Sequence, residues 1–424
     1  MIKSFIFENF KSFEKAELNL ESVTSLIGTN SSGKSNAIEG IQILAETATG
    51  LDLGVILDGT RNSSSCVRGG SAACCRFKTS AFKLGCLVDW DDEYDLFYYI
   101  RISTNKRTWI EEEGLYKVLN GKASISGGKK IFKTKSVSKD SSDISVEYDD
   151  KKNGRTSDVL CMRASSVLTQ LKSKLPQNTE RDRECMRCID LIIKNLKGIF
   201  VLNPVPKDMR DYVRILDVEM KENGENISPV LYDLCKDKDK KNALLEVICN
   251  LPENEVADIE FVKTKLDDVI FALKEKYMNA SEVVDARKLS DGTLRCMAII
   301  AAVLSIPEGG MLVVEEIDNG IHPGRVSVLI NKLSELGSKR KIDIILTTHN
   351  PTMINKYDKE KLQGVSVVYR DREKGNSQFI AFVDIEQYPK LLAKGGLGDA
   401  MTDESLIKMI KSPQESVDYS WLGV

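Results

Sequence analysis

Apolar runs in this chain are short, and they stop abruptly at polar or glycine-rich turns. Val23–Ile27, Met311–Val314 and Ile342–Leu346 are the clearest. Strands buried on both faces read this way, so the three runs predict strands of a parallel sheet. Between about residues 76 and 165 the pattern becomes an alternation of polar and apolar positions, enriched in Tyr, Phe, Trp and Val. Leu96–Ile102 is its best-defined strand, and the stretch predicts an antiparallel sheet flanking the core. From about 166 to 255 the spacing is helical, broken at Asn203-Pro204-Val205-Pro206 and at Gly224-Glu225-Asn226. Gly364–Tyr369 and Gln378–Val383 predict a further strand pair, while Gly50–Gly70 and Ser124–Lys139 predict loops. No heptad is sustained and no internal repeat is present, which predicts a short helical arm rather than a long coiled coil. The expected class is α/β. The expected division is an N-terminal lobe over 1–165, a helical insertion over 166–255, a C-terminal lobe over 256–385, and a tail over 386–424 that is a candidate docking element.

Composition narrows the function classes. The chain has 424 residues, enough for two structural regions and a sizeable core. Its 60 basic and 63 acidic residues leave a formal charge of −3, which excludes a strongly basic nucleic-acid binder but leaves room for a local basic groove. Two lysine groups invite that comparison. Lys129, Lys130, Lys133 and Lys135 lie near a hairpin and are a candidate DNA contact. Lys236, Lys238, Lys240 and Lys241 alternate with acids and read as a solvated helix end. The ten cysteines are scattered, and only Cys185 and Cys188 have C-x-x-C spacing, which predicts reduced thiols in the cytoplasm rather than a zinc site. No leader-like segment opens the sequence, and no run of 18 apolar residues predicts a membrane span.

The chemistry sits at the ends of the apolar runs. Gly28-Thr29-Asn30-Ser31-Ser32-Gly33-Lys34-Ser35 follows the first run and fits the G-x-x-x-x-G-K-[ST] pattern at every fixed position. The N–H groups from Asn30, Ser31, Ser32 and Gly33 through Lys34, Ser35 and Asn36 are suited to cradle phosphates at a helix N-terminus. Lys34 is expected to reach the β- and γ-phosphates of ATP, and the Ser35 hydroxyl to hold Mg²⁺. Glu315 and Glu316 follow the second run. Glu315 is expected to hold Mg²⁺, directly or through water, and Glu316 to polarise the attacking water. His349 ends the third run. It is one of only two histidines, and a neutral imidazole there suits a γ-phosphate sensor. The other, His322, lies in a turn expected at a subunit contact. Leu289-Ser290-Asp291-Gly292-Thr293 supplies a hydroxyl, a flexible N–H and a helix start, which suit a phosphate and equally suit an ordinary N-cap.

Taken in order, these segments resemble ABC-type ATPases, and specifically the SMC/RecF/OLD-like branch. Ile6-Phe7-Glu8-Asn9-Phe10-Lys11-Ser12-Phe13 looks like the first strand and turn of SMC-type heads. The resemblance implies that Lys11 and Ser12 lie near the nucleotide. It also implies that Ser290 and Gly292 of one protomer cap the ATP of the other in a head-to-tail homodimer. Glu315 to Pro323 is closest to the OLD-like group, which includes ATPase subunits of anti-phage systems such as Septu and PARIS and the ATPase half of Gabija. The glutamine lid loop of ABC proteins has one candidate, Gln170.

The 255 residues between Lys34 and Leu289 hold a large insertion, which disfavours a transporter subunit. About 75 residues follow His349, with no fresh acidic cluster of the kind a nuclease domain needs. Asp91, Asp92 and Glu93 sit in turn-like surroundings. The expectation is therefore an ATP-driven switch that controls a separate effector such as a nuclease. The alternative is a repair or chromosome-maintenance ATPase acting on DNA itself.

Overall fold

The structure is a computed structural model. It describes residues 1–385 apart from 61–64, 139, 153–154, 177, 251–255, 278–279, 351–356, 358 and 372–373. The expected tail, with Gly395 to Asp399, lies outside the described residues.

In chain order the first half runs β1 (Ile2–Phe10), β2 (Phe13–Asn19), β3 (Val23–Ile27), α1 (Lys34–Thr47), α2 (Leu53–Asp58), β4 (Ala81–Asp89), β5 (Tyr94–Ser103), β6 (Trp109–Leu119), β7 (Lys129–Thr134), β8 (Asp143–Lys152), β9 (Arg155–Met162), α3 (Val167–Lys174) and α4 (Glu180–Lys197). The second half runs β10 (Ile199–Leu202), β11 (Val213–Arg214), α5 (Ile227–Leu234), α6 (Lys238–Cys249), β12 (Val256–Lys263), β13 (Asp268–Tyr277), β14 (Ala280–Asp285), α7 (Asp291–Ser305), β15 (Met311–Val314), α8 (Pro323–Arg340), β16 (Asp343–Thr348), α9 (Lys359–Gln363), β17 (Val365–Arg370) and β18 (Ser377–Ala381). The fold is mixed α/β, as the alternation of apolar runs and helices requires.

The central sheet has the order β10-β15-β16-β3-β17-β18 and is parallel except for β18. Its strands are mostly apolar because both faces are covered, and β15 is apolar at all four positions. Met311 and Val313 of β15 enter one core, with α1 and α4, while Leu312 and Val314 enter the other, with α7 and α8. β16 divides in the same way, Ile345 to the first core and Ile344 and Leu346 to the second.

The alternating stretch forms an eight-stranded antiparallel sheet in the order β2-β1-β4-β5-β6-β7-β8-β9. One face of β5 supplies Leu96, Tyr98, Ile100 and Ile102 to the first core. Two expected loops contain regular structure: α2 lies within Gly50–Gly70, and β7 within Ser124–Lys139.

The helical stretch differs most from expectation. It contains a strand of the central sheet, β10, whose four residues pair in register with β15 from Ile199 with Met311 to Leu202 with Val314. Its helices do not form an arm with a core of its own. α3 and α4 pack in the first core, and α5 and α6 in the second. Cys185 and Cys188 lie on the buried face of α4, and burial lifts the Cys188 thiol to about 12, so this C-x-x-C spacing is core packing. A second antiparallel sheet, β11 to β14 with β13 in its middle, precedes α7 and was not apparent from the sequence.

One buried carboxylate ties the antiparallel sheet to the helices. Glu113 of β6 accepts hydrogen bonds from Val167 N–H (2.7 Å), Leu168 N–H (2.8 Å), the Ser166 hydroxyl (2.8 Å) and the Tyr98 hydroxyl (2.9 Å). It caps α3 from another element, since Ser166 at the N-cap position provides no side-chain cap. Glu113→Ala strands four buried donors and is expected to lower stability by about 3 kcal/mol, read as a fall in the urea midpoint at unchanged m-value.

Candidate functional site

β3, β16 and β15 are neighbours whose ends lie within two residues of one another: Ile27 pairs with Thr348, and Val314, the end of β15, pairs with Leu346. The residues that follow these strands are the phosphate loop, His349 and the acidic pair. The sheet therefore brings the three motifs together, although they lie far apart in the chain.

The loop leaves β3 at Gly28, exposes Thr29, Asn30 and Ser31, and enters α1 through Gly33. Ser31 is left-handed at φ 65° and Gly33 stands at φ 120°. Gly33 gives α1 no side-chain cap, and the first intrahelical bond runs from Ala37 N–H to Gly33 O at 3.0 Å. The N–H groups of Lys34, Ser35 and Asn36 thus stand free at the positive end of the helix dipole. The Ser32 hydroxyl is buried without a hydrogen-bond partner. An anion with several oxygens fits such a cradle.

Lys34 is 5 % exposed, and its Nζ donates to the carbonyls of Gly28 (2.6 Å) and Thr29 (3.1 Å). Burial pulls its pKa down to about 8, against the opposing pull of Glu316 and Asp318, so the ammonium lies within the field of the acidic turn. Glu315 is raised to about 7 by burial. Arg68 opposes that rise, and Glu316, Glu39 and Glu222 add to it. A divalent cation would reverse that rise, and the donor set of Glu315 with the Ser35 hydroxyl suits Mg²⁺.

Glu316 adopts a left-handed backbone, φ 49°, fixed by its N–H donating to Thr347 Oγ1 (2.8 Å) and by Ile317 N–H donating to Thr347 O (3.0 Å). Its carboxylate meets His349 Nε2 at 3.0 Å and accepts from Asn319 Nδ2 at 3.3 Å. In this state His349 orients the carboxylate. Asp318 Oδ1, next in the turn, is buried without a partner.

Several expected contacts fall elsewhere. The Lys11 ammonium is bound by Glu39, which also accepts from Arg68 Nε. Ser12 and the Asn36 side chain lie behind the loop and bond each other at 2.8 Å. Gln170 is engaged with Met162 and Ser165, which removes it as a lid glutamine. His322 caps α8, accepting from Gly324 N–H at 3.2 Å. Lys129, Lys130, Lys133 and Lys135 are each ion-paired, to Glu184, Glu147, Glu112 and Asp158, which weakens that group as a DNA contact. Asp91 closes the β4–β5 turn by accepting from Glu93 and Tyr94 N–H.

Ser290 caps α7, accepting from Thr293 N–H at 3.1 Å. Gly292 lies against the Gly320 carbonyl, at a position where a Cβ would come within 2.7 Å of that oxygen. Among the described residues, neither residue is hydrogen-bonded to the phosphate loop. The segment is staked by Arg210, whose guanidinium donates to the carbonyls of Ala286, Arg287 and Leu289 and pairs with Asp291. Arg210 and Glu39 carried no motif by which sequence reading could have found them. Thr347 and Asp318 lay inside the marked segments that hold His349 and the acidic pair, without a role assigned to them.

Residues 1–200 match the family model described as AAA ATPase domain. Residues 208–355 match that described as AAA domain, putative AbiEii toxin, Type IV TA system. No curated protein matches the sequence. Among solved structures, an SMC head bound to the C-winged helix domain of ScpA is 13% identical over 89% of this chain and 97% of that chain, with a TM-score of 0.47. The SMC head domain from Thermotoga maritima is 12% identical over 90% and 98%, with a TM-score of 0.42. The SMC head with an extended coiled coil bound to the C-terminal domain of ScpA, from Pyrococcus furiosus, is 14% identical over 96% and 99%, with a TM-score of 0.45. Among the described residues, no helix is long and apolar enough to cross a membrane. Both stretches that carry the site are thus similar to AAA-type ATPase domains.

The Lys34 ammonium gives a test without ligand. Its folded value, about 8, lies below the ordinary 10.5, so the unfolded chain holds this proton more tightly. Stability therefore rises as pH climbs from about 8 towards 10.5. Lys34→Met is expected to stabilise the nucleotide-free chain by about 2 kcal/mol near neutrality, after screening, and to flatten that rise. Denaturation midpoints of both proteins across the pH range read the effect.

Proposed function

We propose that this chain binds ATP with Mg²⁺ between the phosphate loop and the acidic turn, and hydrolyses the γ-phosphate. The observation that carries the reading is the convergence of Lys34, Glu316 and His349 from the ends of three adjacent parallel strands, beside an uncapped helix N-terminus. Lys34 exchanges its two carbonyl partners for phosphate oxygens. Ser35 and Glu315 would hold the cation, which would supply positive charge to the transferring group. Glu316, oriented by His349 and Asn319, accepts a proton from water at its carboxylate. The matching family descriptions, both of AAA type, support the same reading.

The site is completed in a head-to-tail dimer on this reading. Ser290 and Gly292 sit at a helix start without a bond to the phosphate loop of their own chain, and they are free to meet that of a second copy. The purpose proposed is a switch that controls a separate effector, such as a nuclease, in bacterial defence. The description of the family matched by residues 208–355, a putative AbiEii toxin of a type IV toxin–antitoxin system, favours this purpose. Direct action on DNA is the competing outcome, and DNA-stimulated hydrolysis by the purified chain would support it.

Glu316→Gln keeps the side chain's shape and removes its basicity. It is expected to bind ATP and to slow turnover by about 10²–10⁴-fold, accumulating a closed dimer on size exclusion. Turnover at the wild-type rate would assign the base elsewhere. The dimer arrangement has its own test. Ser290→Arg and Lys34→Ala proteins, each inactive alone, should regain hydrolysis when mixed, because each heterodimer contains one intact composite site. Heterodimers confirmed by native mass spectrometry but inactive would overturn the composite site.

A further inference from the structure

The phosphate loop is bracketed by the β17–β18 hairpin at both glycines of its motif. A Cβ on Gly28 would stand 2.2 Å from the Val368 carbonyl of β17, and one on Gly33 would stand 2.7 Å from Ser377 Oγ of β18. The spacing of the two glycines thus matches the width of a hairpin that arrives more than 300 residues later in the chain.

Ser377 is fully buried and makes the closest polar contacts with the loop. Its Oγ lies 2.6 Å from the Ser32 carbonyl and 2.8 Å from Ser12 Oγ, and its N–H donates to the Ser12 carbonyl at 2.8 Å. The Ser377 hydroxyl is placed to donate to either the Ser32 carbonyl or Ser12 Oγ, and Ser12 Oγ also accepts from Asn36 Nδ2 at 2.8 Å. The result is a relay of contacts that joins Asn36, Ser12, Ser377 and the Ser32 carbonyl. It begins on the first turn of α1 and ends on the loop that precedes it. With that carbonyl held outward from the cradle, the Ser32 hydroxyl remains buried and without a partner.

We infer that Ser377 is a positioning residue that holds the phosphate loop in its anion-binding shape before nucleotide arrives, so that nucleotide affinity is set from the hairpin near the end of the described chain. The inference rests on the proposed nucleotide site and adds a residue that does not touch the ligand. A preformed cradle loses less freedom on binding, and breaking the relay moves that cost onto the binding step.

Calorimetry with ATP and ADP and steady-state hydrolysis, on the wild type and on Ser377→Ala, test it. The variant is expected to bind both nucleotides about tenfold more weakly, the equivalent of one or two buried hydrogen bonds. KM should rise by a similar factor, with kcat moved much less. A purely structural serine would instead lower the melting temperature and leave the affinities alone. Equal affinities in the two proteins overturn the inference while leaving the nucleotide site standing. A wild-type chain that binds neither nucleotide overturns the site itself. Should Ser377→Ala fail to fold, Ser12→Ala breaks the same relay. Hydrogen exchange without nucleotide gives a further reading: Ser377→Ala should speed exchange in the phosphate loop, and unchanged exchange there overturns the inference.

Discussion

A strand buried on both faces is mostly apolar along its length, and the few polar side chains it carries need partners inside the fold. That constraint governs this molecule. β15 and β16 send alternate residues into two separate cores, so every position from Met311 to Val314 is apolar. Chemistry can begin only where the strand leaves the cores, and it does so at the next residues, Glu315 and Glu316. The same applies at Gly28 after β3 and at His349 after β16. Parallel pairing in register then places these exits side by side. The cradle, the acidic turn and the imidazole are near one another because the strand exits are.

Much of this was legible in the sequence for the same reason. Val23–Ile27, Met311–Val314 and Ile342–Leu346 declare themselves as short, mostly apolar runs, and the motifs declare themselves by abrupt polarity at the ends. What escaped were features decided by distant partners. β10 is four apolar residues inside a helical stretch, and it is a strand because β15 has a free edge beside it. β12 to β14 carry charges on their open faces, which blurs alternation. Glu39 and Arg210 have no local signature: each acquires its task only when the fold brings cations or carbonyls to it. Gln170 was a plausible lid by residue type, and its amide is instead engaged by the turn that begins α3.

The electrostatics of the site follow from burial without ligand. Lys34 and Glu315 are both shifted towards their neutral forms, the lysine to about 8 and the glutamate to about 7. A site in this condition favours charged guests, because a polyphosphate restores the ammonium and a cation restores the carboxylate. Strain adds to the picture. Ser31 and Glu316 hold left-handed backbones, the first within the turn closed by Ser32 N–H donating to Thr29 O and the second held by Thr347.

The order of strands in the central sheet has a consequence for how the molecule is made. β3 reaches the ribosome exit early, yet its two neighbours are β16 and β17, and the residue opposite Ile27 is Thr348. During synthesis the phosphate loop therefore waits for more than 300 further residues, with β3 unpaired by these neighbours until then. A chain cut short before β16 carries the complete motif without the sheet that shapes it. Co-translational assembly thus withholds the cradle until the acidic turn and the hairpin have been made.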